Sequence, residues 1–356
     1  MTLFPKIKKT YAILFHFLAL MGSFIILINT IFPFIYIAKA INQIEGTAEC
    51  VMELNSRRIL YERKGDMCLP MASTTKILTA ITVLENASNL NEEIRIPPQA
   101  VGIEGSSVYL KEGDIYSIKD LLYGLMLRSG NDCATALAFY IAGNINNFSK
   151  LMNLTAQKAG ALNSSFINPH GLPNDDHKTT ARDLCYITCY AMKNPIYCDI
   201  VSTKYYQPRN WTNKNKLLTL YEYATGGKTG YTKEAGRCLV SSAQKDNMTL
   251  ICSILNCSTT YERTMELFND AFSHYKNITI LSKDTPLKIE QNGKIYTAYV
   301  EKDYVYPLLK EEEEFIEINT SLINKSLNTI KKDEIIGNFK IYFLKQLLFS
   351  GNLYKL

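Results

Sequence analysis

The sequence predicts an α+β fold in which an antiparallel sheet is flanked by a helical subdomain and followed by a small all-β domain. Two strand-like segments open the folded part, several apolar helical segments follow, and a strand pair and one helix come after them. Strands on both sides of a helical middle favour this arrangement. Beyond Tyr275 the helical periodicity stops, and short strand-like segments indicate a separate β-domain.

The first 40 residues are typical of an export signal or of an N-terminal membrane anchor. Three lysines between residues 6 and 9 precede a stretch from residue 10 to 37 that has no formally charged side chain. The Ala-Lys-Ala tripeptide at 38–40 fits a cleavage site, whereas the length of the stretch suits a membrane span of about 20 residues. Both alternatives place the folded part outside the cytoplasm.

The domain from residue 41 to 275 is predicted to begin with a β-hairpin and to continue with helices. Alternating residues indicate strands at 48–54 and 58–62. Apolar periodicity then predicts helices at 71–85, 119–126, 133–142, 147–159 and 180–193, with a turn-rich loop at 168–177. A strand pair at 236–245 and 247–257 and a helix at 261–275 complete this domain.

The remaining chain is predicted to form the small β-domain, residues 276–342, and a terminal amphipathic helix, residues 343–356. The strands are expected at 287–290, 294–300, 315–319 and 335–342. Asn292-Gly293 is a hairpin turn signal. The last segment places Phe343, Leu344, Leu347 and Leu348 on one helix face, which fits a packed helix and a membrane-surface helix equally well.

Composition and charge argue against several classes of function. The chain has 39 basic and 34 acidic residues without a long basic run, so nucleic-acid binding has little support. Nine cysteines without a C-x-x-C pattern, and only four histidines, argue against a structural zinc site. For an exported protein this cysteine usage suggests a reducing or anaerobic habitat, although disulfides remain compatible with it.

Ser73 and Lys76 form the first candidate catalytic pair. They lie three residues apart at the start of an apolar helix, so they share one helix face and the amine can take the hydroxyl proton. The S-x-x-K pattern alone is weak, because residues 242–245 and 273–276 repeat it. Neither repeat opens an apolar helix, but an ordinary N-cap serine remains the alternative for Ser73 without further support.

Two further motifs support a nucleophilic site. Ser129-Gly130-Asn131 lies between two predicted helices, where side chains can point into a cleft, although residues 350–352 repeat the tripeptide. Lys228-Thr229-Gly230 opens the strand region and is the only K-T-G in the chain. Its lysine and threonine offer donors to a carboxylate, and its glycine permits close approach of another chain. S-x-x-K, S-x-N and K-T-G in this order are typical of serine β-lactamases and penicillin-binding proteins.

The chain resembles a known family, the low-molecular-weight penicillin-binding proteins that are D-alanyl-D-alanine carboxypeptidases. The similarity extends over residues 48–275 through segments such as PMASTTKILTA, LMLRSGNDCATALA, NPHGLP and GGKTGYTKEAGRCLV. It is weaker in the β-domain, although KKDEIIGNFKIY resembles the end of the family's C-terminal domain. The resemblance implies a β-lactamase/transpeptidase-like fold, and the closing amphipathic segment resembles the family's membrane anchor.

The resemblance also implies catalytic roles. Ser73 would attack the carbonyl between two terminal D-alanines, and Lys76 would act as the base in its neutral form. The backbone N–H groups of Ser73 and Tyr231 would form the oxyanion hole. Ser129 would pass a proton to the leaving amine, and water would then release the acyl-enzyme.

Substrate binding falls to the other motif residues by the same resemblance. Asn131 would hold the peptide amide of the substrate, Lys228 and Thr229 would bind its terminal carboxylate, and Gly230 would complete this motif. The implied partners are a peptidoglycan stem peptide ending in D-Ala-D-Ala and β-lactam antibiotics, which would complete acylation and then stall. A membrane surface would be a further partner through the terminal helix. Neither a metal nor an organic cofactor is implied.

Two other functions stay open on the sequence alone. A class A β-lactamase needs a glutamate that activates the deacylating water, and residues 163–177 contain Asp175 and Asp176 but no glutamate. A penicillin sensor that is acylated without turnover would carry the same motifs, although the complete set favours an enzyme. His170 and His177 lack a metal-ligand set and are interpreted as structural, and Arg237 is a further candidate for the carboxylate.

Overall fold

The computed structural model describes residues 46–291, 293–323 and 330–356. The predicted signal or anchor at residues 1–40 lies outside these ranges, as does Asn292 of the predicted turn. Within them, no helix combines the length and the apolar composition that a membrane span requires.

Two groups of strands enclose a helical middle, as the sequence predicts. In chain order the strands of this region are β1 (Ala48–Glu53), β2 (Ile59–Arg63), β3 (Glu93–Arg95), β4 (Ile115–Ser117), β5 (Tyr205–Tyr206), β6 (Trp211–Thr212), β7 (Ala224–Thr232), β8 (Gly236–Lys245) and β9 (Met248–Leu255). Five of them form one antiparallel sheet in the order β2-β1-β9-β8-β7. The first hairpin therefore joins the late strands, and β7 lies at an edge of the sheet.

The helices cover both faces of this sheet. They are α1 (Lys76–Asn86), α2 (Ile118–Tyr123), α3 (Asn131–Ala142), α4 (Ile145–Ala159), α5 (Ala181–Ala191), α6 (Pro195–Ser202), α7 (Leu217–Leu220) and α8 (Thr260–His274). Because strand residues alternate between faces, Cys50 and Met52 of β1 belong to the core under α1 and α5, while Val51 belongs to the core under α8.

Two of the predicted helices contain a turn that is not a regular α-helix. The predicted helix at 71–85 begins with a 3₁₀ turn, Ala72–Thr75, before α1. The predicted helix at 119–126 is α2 followed by one π-helical turn, Gly124–Arg128. Single π turns inside helical segments are frequent at functional sites. The predicted helices that became α3, α4, α5 and α8 are confirmed.

The described residues between 276 and 356 form an all-β region with its own core. Its strands are β10 (Lys276–Leu281), β11 (Leu287–Gln291), β12 (Lys294–Tyr299), β13 (Tyr304–Leu308), β14 (Ile316–Leu322), β15 (Ile335–Phe343) and β16 (Gln346–Lys355). Five of them form a sheet in the order β11-β12-β16-β15-β14, and β10 pairs with β13. Gln291 pairs with Lys294, so the hairpin predicted between β11 and β12 is present.

The terminal helix predicted for residues 343–356 is wrong. This segment contains β16, which pairs with β15 from Gln346 opposite Phe343 to Tyr354 opposite Ile335. A short apolar pattern cannot distinguish a helix from a strand when an open strand edge is available nearby. Pairing with β15 satisfies the backbone hydrogen bonds of the segment and buries Leu353 completely. The structure therefore offers no helix here for a membrane surface.

Arg58 fastens the first hairpin to the all-β region. Its Nη1 donates to the Pro307 carbonyl over 2.5 Å, and its Nη2 lies 2.6 Å from the Glu312 carboxylate. The guanidinium also lies 5.0 Å from the ring centroid of Phe343 and 5.3 Å from that of Tyr306. This side chain, which is 13% exposed, therefore helps to hold the all-β region against the first hairpin.

Candidate active site

The motif residues predicted from the sequence meet at one cleft of about 400 Å³ beside β7. Those at its surface are Ser73, Ser129, Thr229, Gly230 and Tyr231, together with Ser106, Lys214, Arg237, Cys238, Thr260 and Tyr261. Lys76, Asn131 and Lys228 lie behind this surface, with exposed fractions of 0%, 3% and 1%. Three walls therefore enclose the cleft, which are the 3₁₀ turn before α1, the turn before α3, and β7.

The 3₁₀ turn that carries Ser73 is held by threonine hydroxyls. Thr74 Oγ1 donates to the Met71 carbonyl over 2.7 Å, and Thr75 Oγ1 donates to the Ala72 carbonyl over 2.8 Å. Ala72, immediately before Ser73, has a φ of +49°. This left-handed conformation costs an alanine roughly 1–2 kcal/mol, so the surrounding structure must impose it.

Two glycines contact the turn from opposite sides. A Cβ on Gly171 would lie 2.0 Å from the Ala72 carbonyl oxygen, and one on Gly230 would lie 3.0 Å from both the Met71 carbonyl oxygen and the Ser73 nitrogen. Gly230 of the K-T-G motif thus permits the close approach that the sequence predicts. It also brings the Tyr231 and Ser73 backbones to the same part of the cleft.

Lys76 contacts the Ser73 hydroxyl directly. The distance from Lys76 Nζ to Ser73 Oγ is 2.9 Å. The same nitrogen lies 2.7 Å from Asn131 Oδ1 and 2.5 Å from the His170 carbonyl oxygen. Asn131 Nδ2 donates to the Glu104 carbonyl over 2.5 Å, which fixes the amide with its oxygen toward the lysine.

The surroundings of Lys76 favour its neutral form. Burial, and then the positive charge of Lys228, hold the pKa of Lys76 well below its ordinary value. A neutral amine has two hydrogens and one lone pair. Asn131 Oδ1 and the His170 carbonyl only accept hydrogen bonds, so they take the two hydrogens. The lone pair remains for the Ser73 hydroxyl, and the lysine can act as a base.

Ser129 is placed by the π turn that ends at Arg128. It adopts a left-handed conformation with a φ of +63° and is almost buried at the cleft surface. Gly130 follows it as the N-cap of α3, so the serine side chain projects from the junction of two helical segments. The structure thus brings Ser129 to the same cleft as Ser73.

The sequence analysis missed Asp132, which organises the neighbouring loop. Its buried carboxylate accepts hydrogen bonds from Ser107 Oγ and from the backbone N–H groups of Val108, Leu110 and Cys133, at 2.5 to 3.1 Å for the shortest contact with each. The Ser106 carbonyl in turn accepts from the Asn131 N–H. An acidic residue directly after the S-x-N motif was the available signal. Asp132 fixes the loop that completes the cleft.

The K-T-G segment adds positive charge behind and around the cleft. Lys228 Nζ donates to the Thr229 carbonyl over 2.9 Å, and burial, followed by the charge of Lys214, lowers the pKa of Lys228 to about 7. Tyr231 pairs with Arg237 on β8, so these side chains share one sheet face with Thr229. Lys214, which the sequence analysis did not single out, donates to Ser106 Oγ over 3.1 Å at the cleft surface.

The described side chains form neither a metal site nor a disulfide. In the described ranges, no three His, Cys, Asp or Glu side chains converge as metal ligands would. All nine cysteines lie in these ranges as free thiols, and most are buried.

The sequence is similar to those of known proteins. It matches the profile of the D-alanyl-D-alanine carboxypeptidase family, peptidase S11, over residues 36–259. A D-alanyl-D-alanine carboxypeptidase from Streptomyces sp. (strain K15) is 36% identical over 220 residues, which cover 55% of this chain and 75% of that protein. D-alanyl-D-alanine carboxypeptidase DacF from Bacillus subtilis is 29% identical over 311 residues, covering 81% of this chain and 76% of that protein.

The fold is similar to that of a solved member. The structure of penicillin-binding protein 5 from Haemophilus influenzae matches with a TM-score of 0.72 and 26% identity, covering 89% of this chain and 98% of that one. The prediction of a β-lactamase/transpeptidase-like α+β domain followed by an all-β region is thereby confirmed. The chain belongs to the D-alanyl-D-alanine carboxypeptidase family of serine peptidases, peptidase S11.

Proposed function

We propose that this protein is a D-alanyl-D-alanine carboxypeptidase that removes the terminal D-alanine from peptidoglycan stem peptides through an acyl-enzyme. The observation that carries the proposal is the 2.9 Å contact between Ser73 Oγ and a buried lysine whose other partners only accept hydrogen bonds. Family membership supports the reaction class, and the three motif walls support the mode of binding.

Acylation uses the Ser73 hydroxyl, the Lys76 amine, two backbone N–H groups and the Ser129 hydroxyl. Ser73 Oγ attacks the carbonyl carbon between the two D-alanines while Lys76 Nζ takes the hydroxyl proton. The backbone N–H groups of Ser73 and Tyr231 stabilise the negative charge on the carbonyl oxygen. The C–N bond then breaks, and Ser129 relays the proton that Lys76 took from Ser73 to the nitrogen of the departing D-alanine, which leaves Lys76 neutral again.

The cations around the cleft suit the carboxylate of the substrate. Thr229 offers a hydroxyl at the surface, Lys228 lies behind it, and Arg237 and Lys214 line the same cleft. Asn131 has internal partners for both side-chain atoms, so we assign it the positioning of Lys76. Its oxygen keeps one further lone pair, with which it can accept from the substrate amide.

Deacylation is the step that separates the candidate functions. The hydrogen bonds that Lys76 makes with described residues go to a hydroxyl, an amide oxygen and a backbone carbonyl, and none goes to a carboxylate. A class A β-lactamase places a glutamate where it activates the attacking water. The present site supports acylation by β-lactams followed by slow release, in keeping with a carboxypeptidase.

The proposed place of action is the outer face of the cytoplasmic membrane or the cell wall space. The N-terminal lysines and the uncharged stretch that follows them support export, and the peptidoglycan substrate lies outside the membrane. Mass spectrometry of the N-terminus of the native protein tests export. A start near Ile41 indicates a cleaved signal, and an intact N-terminus in the membrane fraction indicates an anchor.

One experiment tests the proposed activity against its rivals. The full-length chain is incubated with a stem peptide ending in D-Ala-D-Ala and, separately, with a fluorescent penicillin. Released D-alanine together with stable labelling supports the proposal. Fast penicillin turnover identifies a β-lactamase, and labelling without D-alanine release identifies a sensor.

Ser73→Ala tests the nucleophile in the same assay. We expect this variant to lose both labelling and D-alanine release. The matched control is Ser202→Ala, which removes an exposed serine hydroxyl outside the cleft and should keep both activities within a few-fold. Labelling of Ser73→Ala at the wild-type rate would contradict the assignment.

A further inference from the structure

Ala72 adopts a left-handed conformation directly before the nucleophile, and the Thr75 side chain contacts it there. The Ala72 carbonyl receives the Thr75 hydroxyl proton over 2.8 Å, and this bond fixes the direction of the peptide unit that leads into Ser73. Gly171 and Gly230 lie against this turn, and each leaves no room for a Cβ there. The Thr75 hydroxyl therefore adds a side-chain hydrogen bond to a carbonyl that the 3₁₀ turn also pairs with the Thr75 backbone N–H.

His177 contacts the same hydroxyl. Its Nε2 lies 2.8 Å from Thr75 Oγ1, and its Nδ1 accepts the backbone N–H of Ile167 over 3.0 Å. Because Nδ1 accepts, the single proton of the neutral ring is on Nε2. The Thr75 hydroxyl donates its hydrogen bond to the Ala72 carbonyl, so its oxygen accepts a hydrogen bond from Nε2. Each hydrogen bond in the series from the Ile167 N–H through His177 and Thr75 to the Ala72 carbonyl then has one donor and one acceptor.

The ring is kept in this state by its surroundings. His177 is 2% exposed, and burial together with the charge of Lys76 lowers the pKa of His177 to about 4. A protonated ring would turn Nδ1 into a donor that faces the donor of Ile167. At neutral pH the Nε2–H tautomer is therefore the form that fits both neighbours.

His177 also anchors the loop that supports the base. Ile167, which it holds, leads into the segment that provides the His170 carbonyl to Lys76 Nζ and the Pro169 carbonyl to Thr79 Oγ1. One imidazole thus joins the nucleophile turn to the segment that contacts the lysine. Replacing this ring would therefore disturb both the turn that carries Ser73 and the segment that contacts Lys76, and with them the distance between Ser73 and Lys76.

We propose that His177 is a positioning residue for the nucleophile, acting through Thr75 on the Ala72 carbonyl so that Ser73 stays within reach of Lys76. The inference rests on the proposed function, since it assigns the role by its effect on acylation. A purely structural role would depend only on the edge-to-face packing of the ring on Phe166, with centroids 5.8 Å apart.

Paired substitutions separate the hydrogen-bond role from packing. The rate constant for acylation by a fluorescent penicillin, per folded molecule, is measured together with the melting temperature. We expect Thr75→Val and His177→Phe each to slow acylation by about tenfold or more, since each removes a buried hydrogen bond. Thr75→Ser and His177→Gln keep a hydroxyl and a donor and should stay within about threefold.

The double variant and a remote threonine provide the controls. Thr75→Val combined with His177→Phe should be no slower than the slower single variant, because both break the same chain of bonds. Thr188→Val removes an equally buried bond, from Thr188 Oγ1 to the Leu184 carbonyl over 2.7 Å, on α5. It should lower the melting temperature without changing the acylation rate.

The outcomes distinguish failure of the inference from failure of the proposed function. Wild-type acylation by Thr75→Val or His177→Phe, or additive losses in the double variant, would overturn the positioning role while the activity stands. A wild-type chain that neither labels nor releases D-alanine would refute the proposed function instead. Nitrogen-15 NMR of the unmodified protein adds a test without variants, because an Nδ1–H tautomer of His177 at neutral pH would also overturn the inference.

Discussion

Lys76 Nζ lies 2.7 Å from Asn131 Oδ1, and both residues are buried behind the surface of the cleft. Among the residues that the structure describes, the amine of this lysine has a hydroxyl, an amide oxygen and a backbone carbonyl as hydrogen-bond partners and no carboxylate. An amine in such a place is expected to stay neutral near physiological pH, because burial penalises its charged form. This relationship between an amide and an amine sets the base that the proposed reaction needs.

Asn131→Asp should convert the lysine from a base into an ammonium. A carboxylate in contact with Nζ favours the charged amine and raises the pKa of Lys76. We expect acylation at pH 7 to fall at least about tenfold, and the ascending limb of its pH profile to move to higher pH by at least about one pH unit. The pH dependence of penicillin labelling measures this shift.

Asn194→Asp is the matched control for charge. Asn194 caps the N-terminus of α6, where an aspartate is equally suitable. Its labelling profile should match that of the wild type. An unshifted profile in Asn131→Asp would contradict the role assigned to the amide.

Lys228→Met should stabilise the fold at neutral and low pH. The pKa of Lys228 falls from 10.5 to about 7 on folding, so the folded state disfavours the ammonium. The cost is complete at and below pH 7 and declines as the pH rises toward 10.5, where the unfolded chain also loses the proton. We expect a gain on the order of a few kcal/mol at pH 6, with no gain near pH 10.5.

Melting temperatures across this pH range check the prediction for Lys228. The exposed Lys233→Met is the control and should show no such dependence. A lower melting temperature of Lys228→Met at every pH would contradict it. The same variant should bind the stem peptide more weakly, because the substrate carboxylate loses a cation.

Gly171→Ala should damage both stability and acylation. The added Cβ would lie 2.0 Å from the Ala72 carbonyl oxygen, and the φ of +89° already disfavours alanine. Gly102→Ala has a comparable φ of +72° with no atom within 4 Å, so it isolates the conformational cost of roughly 1 kcal/mol. Thermal unfolding and penicillin labelling should show a larger loss for Gly171→Ala. Equal losses in the two variants would mean that the turn can yield.

Arg58→Ala should loosen the all-β region without changing the chemistry. It removes a largely buried guanidinium from Glu312, Pro307 and three aromatic rings, so we expect a loss of about 3 kcal/mol in the free energy of unfolding. Arg182→Ala breaks the more exposed ion pair with Glu62 and should cost about 1 kcal/mol or less. Denaturant unfolding compares them. Acylation per folded molecule should be unchanged in both, and a slower rate in Arg58→Ala would show that the region reaches the cleft.

Local spacing predicted much of the site, because helix geometry acts over a few residues. The three-residue interval between Ser73 and Lys76 brings their side chains into contact, as a helical turn requires. The left-handed Ala72 was not predictable in this way, since the residues that contact this turn, His177, Gly171 and Gly230, come from distant parts of the chain. His177 was interpreted as structural because a histidine without a ligand set carries no local signal.

The terminal strand shows the same limit in the fold. Residues 343–356 contain an apolar pattern that suits a helix, and only the presence of β15 as a partner decides for a strand. The main hairpin was predictable because its alternation and its turn lie within one short segment. Patterns that bury one face reveal the type of an element, whereas the identity of its neighbour is set by the whole chain.

The contacts of Gly171 and Gly230 with the turn at Ala72 also affect when the protein becomes reactive during its synthesis. The ribosome makes Ser73 and Lys76 early, but Gly230 and the strand that carries it emerge much later. Until β7 joins the sheet, the cleft lacks the wall that this strand forms, and the turn that carries Ser73 lacks its contact with Gly230. A nascent or unfolded chain is therefore not expected to react with a penicillin. The amount of bound penicillin accordingly measures the number of completely folded molecules.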